Sequence, residues 1–302
     1  MDDIASQRQL SVAVAAWSGI EALRRCLRSL RSQLEMDADE VVVARNFQLT
    51  GNVGLQTEFP WVTDLAFPSD VTVPQLRAAA LHASRGVIVA FLEDHCACAP
   101  GWRSAMVSAH RLPFEAVGGP VDLAPGGRPL DWAVYFYDYS RFAPPMPSGA
   151  VRSLSGANVS YRRQFLEQLG SALILEVTEV ALQDALVRHR AGAYLASDAI
   201  VVHRKQHAAV PAVRLSFALA RGYASHRLHG AGPFRRTAFA LAALGLPVLL
   251  AGRISVATLR TRRNLGRLVI AGPWLLVLVT AWSAGEFTGY LAGAGDSQLR
   301  WR

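Results

Sequence analysis

Lysine is nearly absent from this 302-residue chain: Lys205 is the one lysine among 31 basic residues. Cysteine is also scarce, limited to Cys26, Cys96 and Cys98. Three thiols in a chain this long exclude a disulfide scaffold and suit a reducing compartment. Met1 to Leu10 is polar and carries no apolar run, so no secretory leader is expected. No internal repeat is present, which argues against a solenoid or propeller. The most informative shortage is of acid near the C-terminus. Residues 204–302 hold 14 basic and 2 acidic residues, a net of +12, whereas residues 1–203 hold 17 and 21, a net of −4. The whole-chain charge of +8 therefore belongs to one end. An arginine-favouring genome accounts for arginine over lysine but not for this asymmetry. Because the excess lies beside the longest apolar runs, it points to an anionic membrane surface and not to nucleic acid.

What is present is a hydrophobic fraction of 51% with seven Trp, enough for a folded core. Residues 10–100 alternate strand and helix patterns. Leu10 to Ala15 and Glu40 to Ala44 read as buried strands, and Val87 to Leu92 is the strongest strand signal in the chain. Between them, Glu21 to Leu34 places Leu23, Leu27, Leu30 and Leu34 at helical spacing, and Val73 to Ser84 is helical with Pro74 in its first turn. Such alternation predicts a parallel sheet covered by helices, with ligands beyond the carboxyl ends of the strands. Glu93, Asp94 and His95 follow directly on one such end. Further on, Asp131 to Phe142 is dense in aromatic residues, Thr178 to Arg190 is helical with Thr178 as N-cap, and Ala199 to Val202 leads into His203.

The order of these motifs resembles that of family 2 inverting glycosyltransferases. The stretch Leu76-Arg77-Ala78 through Gly86 is similar to that family's A-R-N-x-G-x-x-x-A-x-G segment. Phe91-Leu92-Glu93-Asp94-His95 stands for its F-L-D-D-D, and Pro100-Gly101-Trp102 for its P-x-W. Cys26-Leu27-Arg28-Ser29-Leu30, Val117-Gly118-Gly119, Gly156-Ala157-Asn158 with Arg162-Arg163, and Val201-Val202-His203 extend the likeness over residues 10–205. The resemblance implies an α/β, GT-A-like, mostly parallel sheet flanked by helices, of the kind that binds nucleotide-diphospho-sugars. It also implies a sugar transfer that inverts the anomeric centre.

The chemistry fits the residue types. A departing diphosphate needs a divalent ion to neutralise its charge, and hard oxygen ligands suit Mg or Mn, with Mn also accepting imidazole. The expected donor-binding set is Trp17, Arg77, Glu93, Asp94 and Asn158, and the expected metal ligands are Asp94, His95 and His203. Inversion needs a base for the acceptor hydroxyl. Matching Leu182 to the leucine of the family's E-D-x-x-L helix puts Glu179 at the base position, with Glu176 as a fallback. Each has a plainer reading: a solvated strand end for Glu93 to His95, a surface histidine for His203, a surface helix residue for Arg77, a core residue for Trp17, a helix-dipole carboxylate for Glu179. Two positions depart from the family. Arg45 stands where an Asp holding the nucleobase or ribose is usual, and Ala15-Ala16-Trp17-Ser18 replaces a P-x-y-N strand end. Cys96 and Cys98 lack the second ligand pair of a structural zinc site.

The C-terminal third carries apolar runs over Phe239 to Ala251 and Leu268 to Ala284, flanked by Arg235, Arg236, Arg253, Arg260, Arg262, Arg263 and Arg267. Both are near or below the ~20 residues that span a bilayer. A two-pass hairpin would place Arg253 to Arg267 against the positive-inside tendency, so the first run is expected to be interfacial or re-entrant. The expected organisation is a catalytic domain over residues 1–205 and a basic, apolar, membrane-associated helical region over 206–302. The expected function is transfer from a nucleotide-sugar donor to a lipid-linked or surface-glycan acceptor, on the cytoplasmic side of the cell inner membrane. The alternative is a catalytically silent membrane-bound scaffold that keeps the fold.

Overall fold

The computed structural model describes residues 8–49, 54–173, 175–228 and 230–295, with the side chains of 171 and 172 left aside. It divides into two compact units, one built from the described residues up to Asp122 together with Pro144–Arg204, the other from Leu123–Ala143 with those from Lys205 onward.

The first unit is the α/β layer. Strand β1 (Leu10–Ala16) leads to helix α1 (Ile20–Arg31), β2 (Asp39–Arg45), the short α2 (Leu55–Glu58), β3 (Val62–Ala66), α3 (Val73–Ala83) and β4 (Ile88–Glu93). A two-residue turn then opens β5 (Cys96–Cys98), α4 (Trp102–Ala109), β6 (Ala116–Gly118) and β7 (Val121–Leu123). Helix α5 (Pro129–Tyr139) belongs to the second unit. The chain returns through β8 (Gly149–Val151), β9 (Asn158–Arg162), α6 (Arg163–Gln168), α7 (Glu179–Arg188), β10 (Ala193–Leu195) and β11 (Val201–His203). The main sheet has the order β3-β2-β1-β4-β9-β6-β10-β8, in which β9 and β8 alone run against the rest. It is a mostly parallel α/β sheet, as the alternating pattern requires. Strands β5, β11 and β7 form a small second sheet.

Burial explains the elements. Every residue of β1 is buried, because a parallel sheet is covered on both faces. In α1, Leu23, Cys26, Leu27 and Leu30 pack inward while Arg24 and Arg28 face out onto Glu58. Helix α3 opens with a Thr72–Gln75 capping box and Pro74 in its first turn. Its Leu76 and Ala80 join Ala13, Val42, Val89 and Phe91 in one core. Strand β3 has too little hydrophobic continuity (Val-Thr-Asp-Leu-Ala) to be legible beforehand; it pairs in parallel with β2 from Val41↔Val62 to Arg45↔Ala66. Arg103 on α4 ties the opposite edge of the layer by bonding Asp39, Glu35 and Gln9.

The second unit is helical: α5 with α8 (Ala209–Arg227), α9 (Pro233–Ala243), α10 (Leu246–Thr261) and α11 (Leu265–Ala292). The aromatic stretch within the first 205 residues thus packs with the C-terminal helices. Trp132, Ala133, Tyr135 and Phe136 of α5 share a core with Ala271, Leu275, Leu278 and Val279 of α11. Small residues let α8 and α11 touch: a β-carbon at Gly285 or Gly289 would overlap the carbonyls of Phe217 or Arg221. Glu286, the acid within α11, is buried but accepts from Trp282 Nε1 and Tyr290 OH, both at 2.7 Å. Helix α11 is long and apolar enough to cross a membrane, and α9 and α10 meet that test together only as a pair bent by 54°. Pro247 sits in the first turn of α10, where its missing N–H costs nothing.

Gly119 stands against the Ala199 carbonyl so closely that a β-carbon would overlap that backbone oxygen. Backbone cannot yield as a side chain can. Gly119→Ala is expected to lower the unfolding free energy by about 1–3 kcal/mol, read as a shifted urea midpoint; an unchanged midpoint refutes the packing argument.

Candidate active site

Parallel strands place their carboxyl ends on one edge. Here β1 ends at Ala16, β2 at Arg45 and β4 at Glu93, and the side chains that follow converge. Asp94 is the hub. It is 0% exposed, and its Oδ2 accepts the backbone N–H groups of Trp17 (2.9 Å) and Ser18 (2.6 Å), which fastens the end of β1 to the turn after β4. Its Oδ1 faces His95 Nδ1 at 3.1 Å, and Ser18 Oγ lies 3.2 Å from the same nitrogen. A carboxylate only accepts, so with Asp94 on Nδ1 and Glu93 on Nε2 both ring nitrogens donate. That Nε2 lies 3.0 Å from Glu93 Oε2. The Trp17 ring meets His95 edge-on at 5.2 Å, and the His203 ring meets it at 4.7 Å from the end of β11.

Burial would push the Glu93 carboxyl up, but the hydrogen bond from His95 and the positive charges of His95, Arg77 and His203 outweigh it and hold it at about 2. Glu93 is therefore an anion throughout the physiological range, ringed by nitrogen. Arg77 extends the network from α3: one terminal nitrogen bonds Glu93 Oε1 at 3.1 Å and the Gly156 carbonyl at 3.3 Å. Gly156 in turn abuts Glu179, the first residue of α7, whose N-cap Thr178 accepts from Ala181 N. A β-carbon at Gly156 would sit 2.5 Å from Glu179 Oε2, so a larger residue there would push the carboxylate aside. Glu179 is exposed, as a base for an incoming hydroxyl must be, and Glu176 is exposed in the stretch before the helix.

Sequence reasoning brought Trp17, Arg77, Glu93, Asp94, His95, His203 and Glu179 together as candidates. The structure sets the first six in one network and joins Glu179 to it through Gly156. Two of the expected residues are fully enclosed. Asp94, expected as a metal ligand, has Trp17, Ser18 and His95 on its carboxylate oxygens. Asn158 is fully buried, and its carboxamide accepts from Trp102 Nε1 (2.9 Å) and donates to the Ala199 (2.7 Å) and Pro120 (3.1 Å) carbonyls. No polar edge of it faces a ligand, because interior carbonyls and the indole use the whole amide. Four further contributors had no role assigned from sequence. Ser18 and Gly156 carry no chemical signature of their own. Asp64 on β3 grips Arg45 bidentately at 2.9 and 3.0 Å. Cys96, beyond the turn, lies with Glu93 and His95 so that their ligand atoms fall within 4.8 Å of one another.

Removing the Asn158 amide strands Trp102 Nε1 and the Ala199 carbonyl, while the Pro120 carbonyl keeps the Val201 N–H. Asn158→Ala is expected to cost roughly 2–6 kcal/mol of stability, at about 1–3 kcal/mol for each unsatisfied group, measured by chemical unfolding. An Asn158→Ala protein of wild-type stability would show that the amide serves a ligand instead.

Comparison with known proteins matches the geometry. The profile described as Glycosyl transferase family 2 fits residues 11–170. No curated protein sequence matches the chain significantly. Among solved structures, the mannosyltransferase PcManGT from Pyrobaculum calidifontis, in complex with GDP-Man and Mn²⁺, aligns at 15% identity over 93% of this chain and 87% of its own, with a TM-score of 0.54. GalNAc-T7, with UDP, GalNAc and Mn²⁺, aligns at 14% identity over 66% of this chain with a TM-score of 0.51; the alignment spans 43% of that longer protein. S. aureus TarS 1–349 aligns at 13% identity over 93% of this chain and 90% of its own, with a TM-score of 0.50. At these identities the structures speak to the GT-A-like fold alone. The family profile covers more than half of the chain, and the chain belongs to glycosyl transferase family 2.

Proposed function

We propose that this glycosyltransferase moves a sugar from a nucleotide-diphosphate donor to a lipid-linked or surface-glycan acceptor, inverting the anomeric carbon. The observation that carries the reading is the opposed pair Glu93 Oε2 and His95 Nε2, 3.0 Å apart, with Arg77 on the other carboxylate oxygen. Two ligand atoms around one octahedral divalent ion at 2.0–2.1 Å stand about 3 Å apart, so the pair has the spacing such an ion asks for. A carboxylate with imidazole is a mixed oxygen and nitrogen set, which suits Mn and admits Mg. Glu93 and His95 would hold the ion with His203 beside them, the His95 Nε2 proton leaving to solvent as the ion takes its place, and Asp94 would lock the His95 ring from behind, the arrangement that raises ligand basicity. When bound, the ion neutralises the departing diphosphate. The neighbours solved with Mn²⁺ and a nucleotide or nucleotide sugar support the assignment by analogy of fold.

The rest of the chemistry is left to side chains of this chain. Arg77 faces the diphosphate with a fixed positive charge. Trp17 offers a flat apolar wall at the end of β1. Glu179 takes the acceptor hydroxyl proton as the new C–O bond forms. The bond from the anomeric carbon to the phosphate oxygen breaks, and its electron pair leaves with the diphosphate. Glu179→Gln is expected to keep donor binding and lower turnover by about 10²–10⁴-fold, read in a donor-turnover assay with calorimetry for affinity. Wild-type turnover would remove Glu179 from the reaction.

The helical unit supports attachment to an anionic membrane on the cytoplasmic side of the inner membrane. On α9 and α10, Phe234 (89% exposed) and Val248 (81%) stand on the surface among Arg235, Arg253 and Arg260. Exposed apolar side chains interleaved with arginine fit the headgroup boundary of a bilayer. The detergent-free chain is expected to float with vesicles containing phosphatidylglycerol and bind less to pure phosphatidylcholine. Equal recovery in the lipid-free fraction with both would overturn membrane attachment.

A further inference from the structure

The turn after β4 brings a third donor type to the site. Glu93 and Cys96 flank the two-residue turn Asp94-His95, and the chain reverses there into β5. The Cys96 sulfur, the Glu93 carboxylate and a His95 ring nitrogen all lie within 4.8 Å of one another. A second, independent feature is the pairing of β5 with β11. Their antiparallel register sets Cys96 directly opposite His203. Residues opposite each other in an antiparallel pair send their side chains to the same face. His203 is also the residue whose ring meets His95 at 4.7 Å. The Glu93 carboxylate, the Cys96 thiol and the His95 ring thus share one small volume, with the His203 ring set against His95 at its side. Cys96 is 1% exposed and not in a disulfide, so the thiol is shielded from the bulk. Cys98, the other half of the sequence pair, belongs elsewhere: its backbone N–H bonds Ser29 Oγ, under α1.

We propose that Cys96 is a ligand of the divalent-ion centre, completing a Glu93, His95, Cys96 and His203 set. The centre then takes thiophilic ions such as Zn²⁺ or Co²⁺ more tightly than Mn²⁺. The proposal rests on the divalent-ion reading above and adds the thiolate to it. Four donors of types N, N, O and S are a zinc set by chemistry, and soft sulfur shifts preference from Mg and Mn toward Zn. Tetrahedral bonds of 2.0–2.3 Å put ligand atoms about 3.5 Å apart, a modest contraction of the observed cluster. The Cys96 S–H proton passes to solvent as the sulfur–metal bond forms, so binding changes no oxidation state.

Cobalt substitution reads the ligands directly. The purified full-length chain, titrated with Co²⁺, is expected to show visible ligand-field bands together with a near-ultraviolet sulfur-to-cobalt charge-transfer band. Cys96→Ser should lose the charge-transfer band, keep the visible bands, and weaken Zn²⁺ binding by roughly 10-fold or more with Mn²⁺ affinity little changed. Cys98→Ser should keep both features. Visible bands without charge transfer in the unmodified chain would overturn the thiolate and leave the divalent-ion centre standing. No cobalt spectrum of either kind would overturn the centre itself. X-ray absorption on the zinc-loaded unmodified chain gives a check that needs no variant: a Zn–S shell near 2.3 Å is expected, and its absence is fatal to the proposal.

Discussion

The site depends on one buried carboxylate. Asp94 is enclosed by protein, and burying a charge without partners would cost several kcal/mol. Its partners are two backbone N–H groups at the end of β1 and the proton on His95 Nδ1. Because the first two lie 77 and 76 residues away, Asp94 fixes where β1 ends relative to β4. Because the third is the neighbouring ring, the same charge also fixes His95. Every other placement follows from that: Nε2 turned to Glu93, Trp17 against the imidazole, and the chain reversed so that Cys96 re-enters beside Glu93. Expected from sequence as a metal ligand, this acid holds the end of β1 and the His95 ring in place.

Family motifs that read as separate signals are joined inside the protein. The Trp102 of the P-x-W stretch bonds Asn158 of the G-a-N stretch, and Asn158 bonds the backbone leading into β11. Arg163 caps the Gly86 carbonyl at the end of α3, and Arg162 gathers the carbonyls of His110, Leu112 and Phe114. These residues recur as an ordered set because each satisfies an interior group supplied by another. The core strands and the helices α1, α3 and α7 were legible because their apolar spacing alone dictates them. Strand β3, the return of Asn158 into the interior and the Asp94 hub were not. They are decided by partners far along the chain, and no local pattern records which carboxylate will find two amides.

Arginine is used in more than one way along the chain. In the α/β unit several arginines meet an acid: Arg24 and Arg28 with Glu58, Arg45 with Asp64, Arg77 with Glu93, Arg103 with Asp39. In the helical unit Arg128 pairs with Asp131 on α5, while further along Arg221 bonds the Gly293 carbonyl, Arg236 the Tyr290 carbonyl and Arg227 the Tyr290 phenol. Arg253 and Arg260 make no hydrogen bond or ion pair among the described residues. These two arginines stand beside exposed valine and leucine on α10, a pattern that fits the proposed contact with phosphate at a bilayer surface.

Arg45 shows how a departure from the family can be absorbed without losing the site. A base-holding Asp is usual at the end of this strand, and an arginine there would bring a buried positive charge to the donor's edge. Asp64, on the adjacent β3, cancels it: both carboxylate oxygens meet the guanidinium fork, and the remaining terminal nitrogen donates to the Phe47 carbonyl. Arg–carboxylate forks of this kind are geometrically specific and expensive to break once buried. The outer edge of the sheet is therefore electrically quiet, and the charges that remain to act on a donor lie at β4, with Glu93, Arg77 and the histidines. On the proposed reaction, the diphosphate end of the donor meets the strong field and the nucleobase end meets shape and backbone. Base preference then has to come from groups other than a carboxylate at residue 45, which separates this chain's donor choice from the family's usual device while leaving its transfer chemistry intact.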